Sequence, residues 1–375
     1  MARTSGARRG VRTLAGGLAF GVSLLPVSQW ASAAVSSATA PSTSMTVAKD
    51  GAGWIARQML AHGGDIAPAA TPDPTDTAYA VLGLHATGVG KTAASEAISF
   101  LQTQLGAISA GGSDDPGVLG EFILAAHASG ANPRQFGGTG PANNLVSRLL
   151  ATEQTSGSNV GLFGSQDPTY NGAFRQGLAL MALKVTGIAV SNAAVAQGIT
   201  WLEQQQCSTG LWEAYRADTS TPCPPPDPAT FTGPDTNSTA LAVEGLAAYG
   251  AHPLEASVVQ QLRADQSSDG GFPNIAAGGQ SSDPDSTALV IQTLLEEGQH
   301  PGSASWAVSG STPYTALASY QLGCSAPAAS RGAFYYPGST KPSVIATVQA
   351  VPAAAGKALP VAATLLSVGN PTVAC

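Results

Sequence analysis

The residues best placed to do chemistry lie in the run Asp-Pro-Asp-Ser-Thr-Ala at 283–288, where two carboxylates stand two positions apart. Similar runs occur at 73–78 and 235–240, each at the start of a segment rich in Ala and Leu. Small oxygen-bearing side chains at such a place accept hydrogen bonds from the free amides of a helix's first turn. The repetition therefore favours helix capping. The alternatives are a catalytic carboxylic acid at Asp285 and ligand contact by Asp283, Asp285 and Asp235.

Further polar residues lie inside segments that are otherwise apolar. Glu244 and Gln292 each stand seven residues, or two helical turns, beyond the position that corresponds to Asp285. Buried polar groups need partners, so these two side chains either pair with each other or line a wet central cavity, and Arg175 is a further candidate partner for Glu244. Tyr335 and Tyr336 add aromatic surface that can hold an apolar or ring-shaped ligand.

The elements that carry these residues are repeated along the chain. Four copies read Leu-x3-Gln followed by Gly-x-aromatic, and two weaker copies precede them at Trp54 and Phe100. The glutamine and aromatic pairs are Gln154 with Phe163, Gln206 with Trp212, Gln266 with Phe272, and Gln321 with Phe334. Six segments rich in Ala and Leu alternate with them, and each ends at a glycine suited to a left-handed helix cap: Gly88, Gly130, Gly187, Gly250, Gly298 and Gly356. The sequence therefore predicts six helical hairpins.

The two kinds of helix differ in polarity. The glycine-terminated segments are apolar nearly all round, which is typical of helices buried on every side, whereas the others keep a stripe of Gln, Ser and Thr. Six hairpins laid side by side can curl until the first meets the last, so that no apolar flank stays exposed. We therefore expect an all-α fold, an α/α toroid over residues 47–356. An open solenoid and two three-hairpin bundles are the alternatives.

The N-terminal residues indicate export. Residues 1–33 contain four arginines, an apolar run and the small-residue site Ala31-Ser-Ala33, as in a signal peptide for either the general secretory or the twin-arginine route. We expect a secreted protein with a disordered segment over 34–46 and a C-terminal tail, 357–375, packed on the toroid. No later stretch approaches the ~18 apolar residues of a membrane helix, so no transmembrane segment is predicted in the mature chain.

Charge and cysteine content limit the partners. Without residues 1–33 the chain has 12 basic and 23 acidic residues, a net charge of −11 that disfavours nucleic acid. Four cysteines in an exported chain favour disulfides, and of the three pairings we favour Cys207 with Cys223 and Cys324 with Cys375. The spacing of Cys and His fits no metal site. We expect a monomer without a cofactor, and its partner is an unknown small ligand or protein.

The run from Leu202 to Trp212 resembles the QW repeat of squalene cyclases and of the prenyltransferase/squalene oxidase repeat superfamily, and the resemblance extends over about residues 50–356. It implies an α/α toroid in which the glutamines bond backbone groups of a neighbouring helix and stack on the aromatic rings. It is less specific for function, since the superfamily includes triterpene cyclases, protein prenyltransferase β subunits, complement thioester domains and cobalamin carriers such as intrinsic factor and transcobalamin.

Residues 283–288 also resemble the Asp-x-Asp-Asp-Thr-Ala motif with which squalene–hopene cyclases protonate an alkene. The resemblance implies a proton donor at Asp285, although Ser286 replaces the adjacent aspartate. The zinc-binding cysteine of prenyltransferases and the thioester cysteine are missing, and the chain has no room for the second helical domain of the cyclases. We therefore expect a binding module that holds a small apolar or cobalamin-like ligand, or a protein, in the toroid mouth. The alternative is a terpene cyclase-like enzyme with Asp285 as general acid.

Overall fold

The computed structural model describes residues 41–375 apart from residues 69, 111–112, 165–170, 252–255 and 278–279. The predicted signal peptide lies outside the described residues. The first helix begins at Ser42, so the segment predicted to be disordered over 34–46 is helical from that residue onward. Within the described ranges, no helix is long and apolar enough to cross a bilayer.

The described residues form twelve α-helices and one two-stranded ribbon. Six helices coincide with the Ala- and Leu-rich segments: α2 (Pro74–Thr87), α4 (Pro116–Ser129), α6 (Ala173–Val185), α8 (Thr236–Ala247), α10 (Pro284–Glu296) and α12 (Val344–Ala354). The other six alternate with them: α1 (Ser42–Ala61), α3 (Lys91–Thr103), α5 (Leu145–Leu150), α7 (Ala193–Gln204), α9 (Ala256–Asp265) and α11 (Pro313–Ser319). The ribbon pairs β1 (Ser109–Ala110) antiparallel with β2 (Ser113–Asp114).

The even-numbered helices form a closed inner ring. Each packs against the next along the chain, and α12 packs against α2, which completes the circle. The first outer helix also meets the last hairpin, because α1 packs on α12 and Trp54 Nε1 donates to the Ala329 carbonyl over 3.1 Å. The predicted α/α toroid is confirmed, and the open solenoid and the pair of separate bundles are excluded.

Burial follows the predicted polarity. In α8 every residue except Asn237 is buried, whereas α7 buries only Val195, Gly198, Trp201 and Leu202. The six glycines that follow the inner helices all have φ between 68° and 84°, a region open to glycine at little cost. The glycine stops are therefore confirmed.

Two inner helices meet backbone to backbone. A Cβ atom added to Gly177 in α6 would overlap the Leu241 carbonyl of α8, and one added to Gly245 would stand 2.6 Å from the Gly177 Cα. Side chains at either position would push α6 and α8 apart. The tightness of the ring at this contact therefore depends on the two glycines.

A repeated hydrogen bond joins the outer-to-inner turn to the inner helix in five of the six hairpins. The amide of Phe272 donates to Thr287 Oγ1 over 3.0 Å, and Thr287 is the fourth residue of α10. The fourth residue of four other inner helices accepts an equivalent bond at 2.9 Å: Thr77 from Ile66, Gln176 from Phe163, Thr239 from Trp212 and Thr347 from Phe334. In three of these five contacts the aromatic residue of a Gly-x-aromatic ending donates its amide to a buried threonine, a contact that the sequence did not reveal.

Thr287→Val is expected to lower the free energy of unfolding by about 1–3 kcal/mol, because it leaves the buried Phe272 amide without an acceptor. Thr287→Ser keeps the hydroxyl and should lower the free energy of unfolding clearly less than Thr287→Val does. Urea unfolding of the two variants compares them directly. Equal losses would show that the methyl group matters and the hydrogen bond does not.

The repeat glutamines donate to carbonyls of their own turns. Gln206 Nε2 reaches the Gly210 carbonyl over 2.9 Å, and Gln154 reaches that of Gly164 over 2.6 Å. Gln266 and Gln321 each make a second bond to the next hairpin, and their four acceptors are the carbonyls of Gly270, Trp306, Gly332 and Val47. The partner aromatic rings are fully buried: Phe163, Trp212, Phe272 and Phe334.

Two disulfides tie down loops of the toroid. They join Cys207 to Cys223 and Cys324 to Cys375, the pairing that the sequence favoured. The residues between 357 and 375 contact the ring at several points: the Lys357 carbonyl accepts from Gln292 Nε2 over 3.2 Å, and the Pro371 carbonyl accepts from Arg57 over 3.0 Å.

Candidate functional site

The first carboxylate of each repeated run caps its helix, as predicted. Asp283 accepts a hydrogen bond from the Ser286 amide over 2.8 Å at the start of α10. Asp73 and Asp235 cap α2 and α8 in the same way, at 3.0 and 2.7 Å. Capping thus accounts for the first residue of each run and leaves Asp285, the second residue of α10, outside this role.

Asp285 is a buried carboxyl group with one engaged oxygen. Only 7% of the residue is exposed, Tyr336 donates its hydroxyl hydrogen to Oδ2, and Oδ1 is buried without a hydrogen-bond partner. Burial, together with the nearby charges of Asp283 and Asp76, raises the pKa of Asp285 to about 8. At neutral pH Asp285 is therefore a neutral carboxylic acid.

The six inner helices enclose a central space, the lumen. Three further polar side chains reach the same end of this lumen as Asp285. Tyr79, Glu121 and Gln349 are each the sixth residue of an inner helix, in α2, α4 and α12, and each has a buried oxygen without a hydrogen-bond partner. Burial raises the pKa of Glu121, and the charge of Asp76 adds to this shift. The pKa of Tyr79 is raised by burial and by carboxylates that include Glu121 and Asp285, so these groups lie within electrostatic reach of one another.

The opposite side of the lumen is apolar at this level. The sixth residues of α6, α8 and α10 are Leu178, Leu241 and Leu289, all fully buried. Residues two, six and nine of a helix share one face, so Leu289 lies beside Asp285 along α10. The inner surface near Asp285 therefore has a polar half and a hydrocarbon half.

Glu244 and Gln292 lie deeper, and neither pairs with the other. Glu244 accepts a hydrogen bond from Thr293 Oγ1 over 3.1 Å, and Gln292 donates to the Lys357 carbonyl. Burial and the charge of Glu296 raise the pKa of Glu244, while a backbone hydrogen bond from Leu359 lowers it. The residues after α12 thus contact both side chains, while Glu244 Oε2 and Gln292 Oε1 are buried without a hydrogen-bond partner.

Arg175 does not serve as the expected partner of Glu244. Its Nε lies 3.4 Å from Asp115 Oδ1, and Asp115 caps α4. Arg175 is the third residue of α6 and Glu244 the ninth of α8, so the two stand at different levels of the ring. The charge of Arg175 acts instead on Glu121, whose pKa it lowers against the effect of burial.

Of the two candidate tyrosines only one reaches the site. Tyr336 contacts Asp285, whereas Tyr335 donates to the Ser319 carbonyl over 3.1 Å and packs its ring edge-on against Tyr320. The residues that the sequence missed are Asp76, Tyr79, Glu121 and Gln349. The signal that could have found the last three is their shared sixth position in the aligned inner helices.

Among the described residues, side chains of the metal-binding type do not converge at Asp285. In the part of the chain that the structure describes, they come together at Cys207, Glu213 and Cys223, where a disulfide consumes both thiolates. Five clefts formed by the described residues, such as the one beside Asp265 and Gln280, do not include Asp285 in their linings. Asp285 is 7% exposed, and two of its neighbours, Asp76 and Tyr336, are partly exposed.

No protein-family model matches the sequence, and no curated protein matches it. Among solved structures, it is similar to a variant of the type II terpene cyclase MstE from Scytonema in complex with geranylgeranyl dihydroxybenzoate, at 15% identity and a TM-score of 0.51, over 84% of this chain and 98% of that one. It is also similar to a protein from Actinoplanes, at 16% identity and a TM-score of 0.50, over 82% of this chain and 99% of that one.

These matches correct one expectation from the sequence. The lack of room for a second helical domain counted against a cyclase, yet nearly the whole MstE chain is matched by this one. That cyclase therefore has no large additional domain beyond the shared fold. The similarity shows that the chain has the α/α-toroid fold of terpene cyclases.

Proposed function

We propose that the protein is a terpene cyclase-like enzyme in which Asp285 protonates an isoprenoid alkene. One observation carries the proposal: Asp285 is a buried carboxylic acid with Tyr336 bound to Oδ2 and no partner on Oδ1. The toroid fold that it shares with a type II terpene cyclase supports it. We prefer the enzyme to the binding module that the sequence favoured, because a ligand carrier has no need of a protonated carboxylic acid at the position of Asp285.

The proposed reaction begins with transfer of the Oδ1 proton to the terminal alkene carbon. The alkene electron pair forms the new C–H bond, the neighbouring carbon becomes a cation, and the next alkene attacks it to form a C–C bond. The last cation loses a proton, so the product is an isomer of the substrate. Asp285 is left as a carboxylate, and the Tyr336 hydroxyl stabilises its charge at Oδ2. A proton from solvent at the mouth restores the acid.

The two halves of the lumen suit this chemistry. The hydrocarbon half formed by Leu178, Leu241 and Leu289 would hold the chain and exclude water, which would otherwise capture the cation. The oxygens of Tyr79, Glu121 and Gln349 would face the developing positive charge from the other half.

The proposal is tested with purified protein, squalene, and C15 and C20 prenyl alcohols in H₂O and in D₂O. We expect a cyclic isomer of one substrate that carries one deuterium when formed in D₂O, since the initiating proton exchanges with solvent. A native ligand that is retained through purification but never converted would support the binding module and contradict the proposal.

Tyr336→Phe is expected to lower turnover about 10- to 100-fold, because it removes a hydrogen bond to the carboxylate formed by proton transfer. Tyr335→Phe is the matched control, since the Tyr335 hydroxyl bonds the Ser319 carbonyl, and it should stay close to wild type. Initial rates of product formation compare the two variants. Equal rates in both would contradict the role given to Tyr336.

A further inference from the structure

The rim beside Asp285 is formed by the N-termini of the inner helices. A helix N-terminus attracts anions through its free amides and the positive end of its dipole, so a ring of them is a natural seat for a phosphate group. Whether this rim can hold a phosphate depends on whether those amides are free.

Four of the six N-termini are occupied by aspartate caps. Asp73, Asp115, Asp235 and Asp283 each accept a hydrogen bond from an amide of the first turn, at 2.7 to 3.0 Å. Ser343 caps α12 over 3.2 Å. At α6 the Ala173 amide donates to the Ala214 carbonyl over 2.7 Å. At each of these six N-termini at least one first-turn amide is therefore engaged, and at four of them a carboxylate accepts its hydrogen bond.

Basic side chains at this rim are few among the described residues. Arg175 lies against Asp115, and Arg216 lies 3.8 Å from Glu213. Lys341 is exposed two residues before the α12 cap, where one solvated charge does not offset the carboxylates. A diphosphate entering the mouth would meet net repulsion.

Inside the mouth, the groups without partners suit an uncharged ligand. Tyr79 Oη and Glu121 Oε2 are buried without hydrogen-bond partners, and the two residues are only 3% and 7% exposed. A carboxyl held in its neutral form can donate a hydrogen bond to a hydroxyl or carbonyl oxygen.

We infer that the substrate is an uncharged isoprenoid, such as a hydrocarbon or a prenyl compound ending in a hydroxyl or ester, and that prenyl diphosphates are excluded by the carboxylate-capped rim. This inference rests on the proposed function.

The test compares geranylgeraniol with geranylgeranyl diphosphate, which share one C20 chain and differ at its end. Turnover is measured with the wild type and binding by calorimetry with Asp285→Asn, which does not consume the ligand. We expect the alcohol to be converted and to bind at least about tenfold more tightly. Equal or tighter binding of the diphosphate, or binding of neither, would overturn the inference. Selective binding of the alcohol without turnover would contradict the proposed function while upholding the selectivity.

Asp73→Asn probes the rim itself. Asparagine also caps helices, so the substitution removes a charge while it keeps the hydrogen bond to the Asp76 amide. We expect the affinity for the diphosphate to rise about fivefold relative to the alcohol. Glu96→Gln, on outer helix α3, removes a charge away from the mouth and should leave the ratio unchanged. An unchanged ratio in Asp73→Asn would show that the rim charge does not select the ligand.

Discussion

Asp285→Asn is expected to lower cyclisation on the order of 10²- to 10⁴-fold, because asparagine fits the same space but has no acidic proton to give. The wild-type rate should fall as the pH rises through about 8, where Asp285 loses its proton. Both effects are measured as initial rates of product formation by gas chromatography with mass spectrometry. An active Asp285→Asn variant would contradict the assignment.

The same substitution is expected to stabilise the protein at pH 8. Between about pH 4 and pH 8 Asp285 is protonated when folded and ionised when unfolded, since its pKa is raised from 3.8 to about 8. Unfolding therefore releases a proton, and the free energy of unfolding falls as the pH rises through this window. Asparagine does not titrate and so avoids this loss. The free energy of unfolding of the variant should therefore exceed that of the wild type by on the order of 1 kcal/mol at pH 8. An inactive variant that is also less stable at pH 8 would indicate misfolding.

Gly177→Val is expected to lower the free energy of unfolding by about 3 kcal/mol or more. Even the first atom of a side chain there overlaps the Leu241 carbonyl, so the backbones of α6 and α8 must separate and the closed ring must open or distort. The measurement is the midpoint of urea unfolding.

Gly106→Ala is the matched control for the glycine contact. No atom lies within 4 Å of a Cβ added at Gly106, so this variant should unfold within about 0.5 kcal/mol of the wild type. A Gly177→Val protein as stable as Gly106→Ala would show that α6 and α8 do not need their close contact.

The fold was accessible from the sequence because its signals are local and recur. The apolar segments and their glycine stops repeat six times, and a ring follows once six such hairpins have to hide their flanks. Even the cap at Asp283 could be predicted, since it depends on a helix only a few residues away. The fourth-residue threonines were hidden because their partners, such as the Phe272 amide, belong to the backbone.

The site was less accessible because it is assembled across the ring. Asp285, Tyr79 and Glu121 come from three helices, and only ring closure brings them within reach of one another. Tyr336 was singled out only as aromatic surface, and its role as donor to Asp285 depends on the path of the loop before α12. Arg175 was assigned the wrong partner because the sequence does not fix the level at which its side chain lies.

The central claim is that Asp285 is a neutral carboxylic acid at physiological pH, and the ionisation of that carboxyl tests it most directly. The measurement is a pH titration by infrared difference spectroscopy, with Asp285→Asn used to assign the carboxyl band. We expect a protonated band that persists at pH 7 and titrates near pH 8. A carboxylate that is already ionised at pH 6 would contradict the account.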